Sequence, residues 1–186
     1  MATINQHALS DVSMIEIVTK AGETYTFDTA DEVRIEEVLD EGEEQTLKIK
    51  GRLYANRAAE DTVLGSDITC KDNLMSPELL LVLQGGTIEK DTDGSFKSYS
   101  APATGAADNR TKFDCNIYTA EVSTDGDTGR YLKVTYPDCY GSSVPLTFQD
   151  GVYFTNSYTI KSRPAKGSSP YTVTFVDELP TVTEES

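Results

Sequence analysis

The chain has 186 residues, with 31 acidic against 16 basic side chains and a formal net charge of −15 at pH 7. Such acidity argues against a surface that attracts nucleic acid phosphates through its overall field. No apolar run approaches the roughly 20 residues that cross a bilayer, so no membrane insertion is expected. The opening MATINQHALSDVSM lacks the basic and apolar regions of a secretory signal, which indicates folding in the cytoplasm where the chain is made.

Residue types that carry chemistry are few. His7 is the single histidine, so no Ser-His-Asp set can form, and there is no phosphate loop of the Walker type. The cysteines are odd in number and widely spaced, at Cys70, Cys115 and Cys139, whereas zinc needs clustered ligands. Asp125 and Asp127 lack the later acidic ligand of a calcium loop. We therefore expect buried thiols, no metal, no cofactor and no enzymatic activity.

A β-hairpin is predicted over SMIEIVTKAGETYTFD, residues 13–28. Ile15 and Ile17 share one face, a turn falls at 20–22, and Tyr25 and Phe27 share a face of the return strand. The segments RYLKVTY, GVYFTNSYTIKS and PYTVTFVDEL are equally rich in β-branched and aromatic residues, and TDGDTG at 124–129 has turn chemistry. The sequence therefore predicts a mainly β fold of the sandwich or barrel-like kind, as one domain over 14–180 between an arm over 1–13 and an acidic tail over 181–186.

The segment 31–57 fits two interpretations. Apolar residues at 35, 38 and 39 fit a helical stripe, whereas strand alternation with a turn centred on Gly42 would place Ile35 opposite Ile49. On the other face the strand register pairs opposite charges, namely Glu36 with Lys48 and Glu32 with Arg52. Because register and charge agree, we predict the strand pairing.

Long polar strands follow. The stretches 45–57 and 64–72 predict a long projecting β-hairpin over about 45–72, joined by a charged loop through Glu60. The edges of such a hairpin lack partners and invite another chain. Further on, DTDGSFKSYSAPATGAADNRT at 91–111 predicts a long exposed loop.

One short helix is predicted at about 76–84. Ser76 suits the N-cap, Pro77 the first helical position and Glu78 the first turn, while Gly85-Gly86 ends the helix. Five consecutive apolar residues occupy it: Leu79, Leu80, Leu81, Val82 and Leu83. A helix that is apolar on all sides must be buried on all sides. We expect the β-sandwich to cover one face, and a second layer or a neighbouring subunit to cover the other.

The order of these elements resembles a known family. Residues 50–86 read KGRLYANRAAEDTVLGSDITCKDNLMSPELLLVLQGG, and the second half contains YPDC, SYTIKSRP and a closing DELP. Over about residues 12–180 the chain resembles the major tail tube proteins of long-tailed, siphovirus-type bacteriophages of Gram-positive hosts, most specifically in LGSDITCKDNLMSPELLLVLQGG. The resemblance implies a tail-tube fold, six copies closing into a ring, rings stacking into a tube, and a hairpin from each copy joining a β-lined channel.

The resemblance also implies where subunits meet. The strands 45–57 and 64–72 would pair with neighbours, and the stretches 1–13, 56–65 and 91–111 would reach adjacent rings. Candidates for the interface or the lumen are the charged residues Glu32, Glu36, Lys48, Lys50, Arg52, Arg57, Glu60, Asp67 and Lys71. Acids of one copy would neutralise bases of another, because strongly acidic copies repel each other. Double-stranded DNA would pass through the acidic lumen during ejection without specific binding.

The same resemblance implies the partners, which are further copies of the chain and the tail-tip and tail-terminator proteins. It also implies a location in the virion. Two alternatives stay open. A β-sandwich adhesin or carbohydrate-binding module would use the ten tyrosines as stacking surfaces, although the chain has no tryptophan. A tube protein of a contractile tail or a phage-like injection particle would share the ring architecture. A module of the first kind should be a monomer, so the oligomeric state separates it from both tubes.

Overall fold

The computed structural model describes residues 6–28, 30–42, 45–57, 59–105, 110–151 and 153–181. Within these residues the strands are β1 Ala8–Thr19, β2 Thr24–Phe27, β3 Ala30–Asp40, β4 Gln45–Ile49, β5 Arg52–Arg57, β6 Thr62–Asp72, β7 Thr87–Lys90, β8 Phe96–Ser100, β9 Phe113–Ser123, β10 Gly126–Gly141, β11 Asn156–Ser162 and β12 Thr172–Val176. The helix α1 spans Pro77–Gln84, between β6 and β7. The fold is therefore mainly β with one short helix, as predicted. None of the helical residues described forms a segment long and apolar enough to cross a membrane.

The main sheet is antiparallel and turns a corner within β10. Its order is β2-β1-β9-β10-β11-β6-β3, with β12 also paired to β10. Residues 131–135 of β10 pair with β12, whereas residues 139–141 pair with β11. Between them the register against β9 shifts, at Pro137 and at Asp138 with its φ of 50°. Such a bulge bends a strand, and β1 comes to lie against β3, so the sheet folds over itself into a sandwich.

The core lies between the two halves of this sheet. Its fully buried side chains include Ile15, Ile17, Ile68, Leu79, Leu83, Phe113, Tyr158 and Ile160. The three cysteines are buried among them and unpaired, as predicted. Burial raises the pKa of Cys70 and of Cys139 to about 12, and it raises the pKa of Cys115 well above the ordinary thiol value. These thiols therefore stay protonated and unreactive in the folded protein.

Helix α1 has the predicted bounds. Ser76 is the N-cap and the helix ends at Gly85, whose N–H donates to the Leu81 carbonyl and whose φ is 76°. The Ser76 side chain does not cap a backbone N–H; its hydroxyl donates instead to Glu78 Oε2 at 2.9 Å. The helix start is therefore marked by Ser76 and Pro77, without the side-chain cap that a serine usually supplies.

The single chain already buries this helix. Leu79, Leu80, Val82 and Leu83 are buried and Leu81 is half-buried. The helix packs on β10, β7 and β8, and a Cβ on Gly141 would lie only 2.3 Å from Leu83 Cα. Tyr99 OH donates to the Gly85 carbonyl at 2.7 Å and fastens the helix end to β8. The second layer is therefore provided within the chain, and the helix needs no neighbouring subunit to cover it.

Local hairpins follow the predicted chemistry. Ile15 lies opposite Phe27, and Ile17 lies opposite Tyr25, which confirms the β1–β2 hairpin and its register. Strands β9 and β10 turn through residues 124–125, with Ser123 opposite Gly126, which confirms the second turn. Both hairpins are determined by residues that are close in the chain.

Several predicted irregular segments are ordered instead. Residues 8–13 of the predicted arm belong to β1, which pairs here with β9 through two register shifts, between Ser10 and Val12 and between Val12 and Met14. Residues 1–5 lie outside the described residues. His7 Nδ1 contacts Glu121 Oε1, and the His7 ring lies 4.6 Å from the Phe175 ring. The predicted loop 91–111 contains β8, which pairs with β7 through a turn closed by the Asp91 carbonyl. Residues 106–109 of that loop and 182–186 of the predicted tail lie outside the described part.

Candidate subunit interface

Strand β3 pairs with β6 and not with β4. Ile35 lies opposite Ile68, and Glu36 lies opposite Asp67. The predicted pairs Ile35 with Ile49, Glu36 with Lys48 and Glu32 with Arg52 are therefore wrong. Glu32 lies opposite Lys71, and the next pair, Val33 with the buried Cys70, packs Val33 against the core.

The physical reason lies at Lys50 and Gly51, whose φ angles are 48° and 79°. Two consecutive residues with positive φ form the tight turn of a two-residue hairpin loop. This turn folds β4 back on β5, with Leu47 opposite Ala55. The predicted single strand over 45–57 is therefore two short strands, and its predicted pairing with 64–72 is wrong.

A long projecting hairpin nevertheless exists, with β3 and β6 as its arms. Strand β11 pairs with β6 only over Ser66–Asp72, so residues 62–65 of β6 pair with β3 alone. Gly65, with a φ of 150°, marks the departure; a Cβ there would lie 2.0 Å from the Ser162 carbonyl oxygen. We call β3 with β6 the ribbon, and β4 with β5 the tip hairpin.

Contacts at the base of the tip hairpin hold the two ends of this insertion together. The Gly42 N–H donates to Asp61 Oδ1 at 3.2 Å. A Cβ on Gly42 would lie 2.5 Å from Ala59 Cβ. The chain therefore leaves the ribbon at 42 and returns to it at 59 through adjacent points.

Large apolar side chains are exposed along the ribbon and the tip hairpin. They are Ile35, Leu39, Leu47, Ile49, Leu53, Tyr54, Val63 and Leu64. Leu53 is 61% exposed and Tyr54 is 75% exposed. Every tip-hairpin side chain that the structure describes is exposed. So many exposed apolar side chains on two neighbouring elements indicate an interaction site in a soluble protein.

Strand edges are also open here. Among the described strands, β3 pairs with β6 on one side and with no strand on the other. The tip hairpin forms a two-stranded sheet of its own, so β4 and β5 each have an outer edge without a partner strand in the described residues. Open edges of this length can add a strand from another chain.

Charge is segregated between the ribbon strand and the tip hairpin. Residues 30–42 hold the acids Asp31, Glu32, Glu36, Glu37, Asp40 and Glu41 and a single base, Arg34. Residues 45–57 hold the bases Lys48, Lys50, Arg52 and Arg57 and no acid. One short stretch is thus strongly acidic, and the next is entirely basic.

Ion pairs within the chain neutralise only part of the ribbon. Arg34 Nη2 lies 2.6 Å from Glu36 Oε1, and Lys71 Nζ lies 3.6 Å from Asp31 Oδ2. Asp67, on the opposite strand, forms an ion pair with Arg163, whose Nη2 lies 2.7 Å from Asp67 Oδ1. In addition, Arg163 Nη1 donates to the Ser66 carbonyl. No sequence signal pointed to this arginine, because the contact joins elements far apart in the chain.

The predicted bases of the tip hairpin have no such partners. Lys48, Lys50 and Arg52 are exposed, and none of them forms an ion pair with a residue in the described ranges. The same holds for the predicted acids Glu32 and Glu60. The side chain of Arg57 lies outside the described residues. The structure therefore separates the predicted site into Glu36, Asp67 and Lys71, which form ion pairs, and charges that form none with the described residues.

A second exposed surface was not predicted. The irregular segment after β10 presents Leu146, Phe148 and Tyr153, of which Tyr153 is 97% exposed. The ring of Phe148 stacks on that of Phe154, with centroids 5.3 Å apart. The sequence signal for this surface is the aromatic content of PLTFQDGVYF in a stretch rich in turn residues.

Comparison with known proteins gives few matches. No protein-family model matches the chain, and no curated protein does. Among solved structures, a chain of the anti-feeding prophage (AFP) baseplate, from a 6-fold symmetrised cryo-EM structure, is similar over 96% of this chain and 100% of its own, with 11% identity and a TM-score of 0.43. Hcp1 from Flavobacterium johnsoniae is similar over 89% of this chain and 99% of its own, with 12% identity and a TM-score of 0.36. Both TM-scores lie below the usual threshold for a shared fold.

Proposed function

We propose that this chain is a structural protein of a hollow tube, the tail tube of a long-tailed bacteriophage. Six copies close into a ring and rings stack into the tube through which double-stranded DNA passes during ejection. The observation that carries the proposal is the ribbon with its tip hairpin, which presents unpaired strand edges and exposed apolar residues together. A folded domain that leaves both uncovered is built to be completed by another chain.

A second copy of the same chain is the simplest partner. The unpaired edge of β3 and the outer edges of the tip hairpin lie at different places on the molecule, so their union is heterologous, and heterologous contacts generate rings when the rotation closes. The acidic composition supports passage of DNA, because a wall of like charge repels a polyanion. Tail-tip and tail-terminator proteins would bind the two ends of the stack, and the chain would belong to the virion.

Electron microscopy of the purified protein, paired with sedimentation velocity over a range of concentrations and salt, tests this proposal. We expect rings or tubes of uniform width for the wild type. The variant Ile49→Asp with Leu53→Asp, at exposed positions of the tip hairpin, should lose them while keeping its thermal unfolding midpoint. Leu146→Asp with Phe148→Asp is the matched control. A wild type that stays monomeric under every condition contradicts the proposal.

A second candidate is a β-sandwich module that binds carbohydrate. It is favoured by the exposed aromatic surface of Phe148 and Tyr153, because aromatic rings stack on sugar faces. Such a module would be a monomer whose sugar binding is lost in Phe148→Ala and Tyr153→Ala. A tube of a contractile tail or a phage-like injection particle would show the same rings as a phage tail tube, and it would be separated by a sheath around the native particle.

A further inference from the structure

We infer that the tip hairpin of one copy docks on the distal, acidic end of β3 in the next copy, and that charge determines this pairing. The inference rests on the proposed function, since it assumes that copies of the chain associate. It adds the polarity and chemistry of the contact: a basic hairpin is the donor and an acidic strand edge is the acceptor.

The two surfaces are opposite in sign. On the tip hairpin, Lys48, Lys50 and Arg52 all lie within two residues of the turn at 50–51. On β3 and its immediate end, Glu37, Asp40 and Glu41 are exposed and form no ion pair with the residues that the structure describes. Each cluster therefore lacks its counter-charges, although the two are only a few residues apart in the chain.

Geometry keeps the two clusters apart within one copy. Strand β4 is extended from Gln45 to Ile49, which carries the turn about 16 Å beyond the start of the hairpin at a rise of about 3.3 Å per residue. Strand β3 is hydrogen-bonded to β6 in the main sheet, whereas the tip hairpin forms a two-stranded sheet of its own. Ion pairs need an N···O separation of about 4 Å or less, so the bases of the turn meet the acids of β3 only in another molecule.

Backbone and side chains favour the same arrangement. The outer edge of β3 and an outer edge of the tip hairpin can continue one sheet across the contact, which supplies main-chain hydrogen bonds. Leu47, Ile49 and Leu53 of the hairpin and Ile35 and Leu39 of β3 are the exposed apolar residues that lie along these edges. Burial of these side chains would provide affinity, while the charges would select the partner and the register.

DNA is the competing partner for a basic hairpin. The chain as a whole repels phosphate because its net charge is −15. The bases also lie beside exposed apolar and aromatic residues such as Leu53 and Tyr54, and aromatic residues are enriched at protein interfaces. We therefore favour a second copy and treat DNA as an outcome of the test.

A charge-exchange experiment tests the pairing. In the tip-reversed variant the substitutions are Lys48→Glu, Lys50→Glu and Arg52→Glu; in the strand-reversed variant they are Glu37→Lys, Asp40→Lys and Glu41→Lys. Each variant alone should need at least about 100-fold more protein than the wild type to assemble, because like charges then face each other. An equimolar mixture should assemble at the wild-type concentration, since each hairpin then meets a strand of opposite sign and an even-numbered ring closes by alternation.

Controls make the same changes of charge elsewhere. One control carries Lys90→Glu, Lys112→Glu and Lys166→Glu, and the other carries Asp125→Lys, Asp127→Lys and Asp150→Lys, all at exposed positions. Both should assemble within about threefold of the wild-type concentration, as distant surface charges are largely screened. Circular dichroism melting establishes that every variant is folded before sedimentation and microscopy.

The outcomes separate this inference from the proposed function. Variants that assemble like the wild type, or a mixture of folded variants that fails to assemble, overturn the charge pairing and leave the tube intact. Tip-reversed protein that assembles normally but loses binding to a 30-base-pair DNA duplex, with which the wild type associates, overturns it in favour of nucleic acid. A wild-type protein that never assembles contradicts both the proposed tube function and the charge pairing.

Discussion

Gly141 lies where the end of β10 passes beneath α1, with no room for a side chain. A Cβ at this position would meet Leu83 Cα at 2.3 Å and the Leu83 carbonyl oxygen at 2.4 Å. Both are backbone atoms, so the whole helix would have to move. We expect Gly141→Ala to lower the free energy of unfolding by about 1–3 kcal/mol, the usual cost of overpacking. Urea denaturation measures this; Ser143→Ala, at an exposed neighbouring position, is the control, and equal stability of the two variants would contradict the close contact.

Glu121, on β9, connects the residue before β1 to the start of β10. The hydrogen bond with His7, then that with the Thr128 hydroxyl and the nearby Arg130 charge, lower the pKa of the Glu121 carboxyl below its ordinary value of 4.5. A carboxylate whose pKa is depressed on folding stabilises the protein above its unfolded pKa, and the contribution is lost as pH falls through the folded pKa. The ionised carboxylate therefore favours the folded state at neutral pH, and the protonated form does not.

We expect Glu121→Gln to lower the thermal unfolding midpoint at pH 7, where the wild-type side chain is ionised. As pH is reduced below about 4.5, the two proteins should converge, because the wild-type carboxyl becomes neutral as well. Differential scanning calorimetry between pH 3 and pH 7 checks this. Glu178→Gln changes an exposed carboxylate at the end of the described chain and should follow the wild type throughout; a constant offset between Glu121→Gln and the wild type at all pH values would rule out the carboxylate as the cause.

Among the elements, the tip hairpin contributes little to the fold of the single chain. Its described side chains are exposed, and its two ends lie side by side at Gly42 and Ala59. Replacing residues 43–58 with an Asn-Gly turn should therefore change the free energy of unfolding by no more than about 0.5 kcal/mol, as for other exposed changes. Under the proposed function the same deletion abolishes ring formation.

Calorimetry and sedimentation on one preparation check both halves of this expectation. Leu83→Ala is the reciprocal control: it keeps the tip hairpin and removes buried core atoms, at an expected cost of about 2–5 kcal/mol. A deletion variant that unfolds at a much lower temperature would mean that the hairpin supports the sandwich. A stable deletion variant that still forms rings would move the interface to another surface.

Elements determined by neighbouring residues could be predicted from the sequence. The β1–β2 hairpin has both its alternation and its turn within one short stretch, and α1 has Ser76 and Pro77 before it and Gly85 after it. The burial of the cysteines followed from their spacing and from the lack of ligands around them. For the hairpin and the helix, the residues that decide the structure lie next to one another in the chain.

The partner of β3 could not be predicted in the same way. Glu36 suits a place opposite Lys48 by charge, yet its counter-ion is Arg34 on the same strand, and the acid opposite it, Asp67, is neutralised by Arg163. A lysine with positive φ, as at position 50, is an uncommon start to a hairpin turn, where Asn-Gly is the usual signal. One long-range arginine and one unusual turn residue therefore favour the observed strand order over a register that the local pattern supported equally well.

Two electrostatic effects of different range act on association of the copies. The net charge of −15 makes copies repel over distances of a Debye length or more. The basic tip hairpin and the acidic end of β3 attract at contact distance. Because the first effect is long-ranged and the second is local, salt screens them over different ranges of ionic strength.

Assembly of the wild type should therefore pass through a maximum as salt is raised. The Debye length falls from about 30 Å at 0.01 M to about 10 Å at 0.1 M, which removes the general repulsion first and promotes association. Towards 1 M, where it is about 3 Å, exposed charge pairs weaken too and the assembled fraction should fall. Sedimentation velocity across this series, with sucrose as an uncharged control, measures the curve. The tip-reversed variant has no attraction to screen, so its assembled fraction should only rise with salt; the same maximum in both proteins would mean that the hairpin charges do not determine the contact.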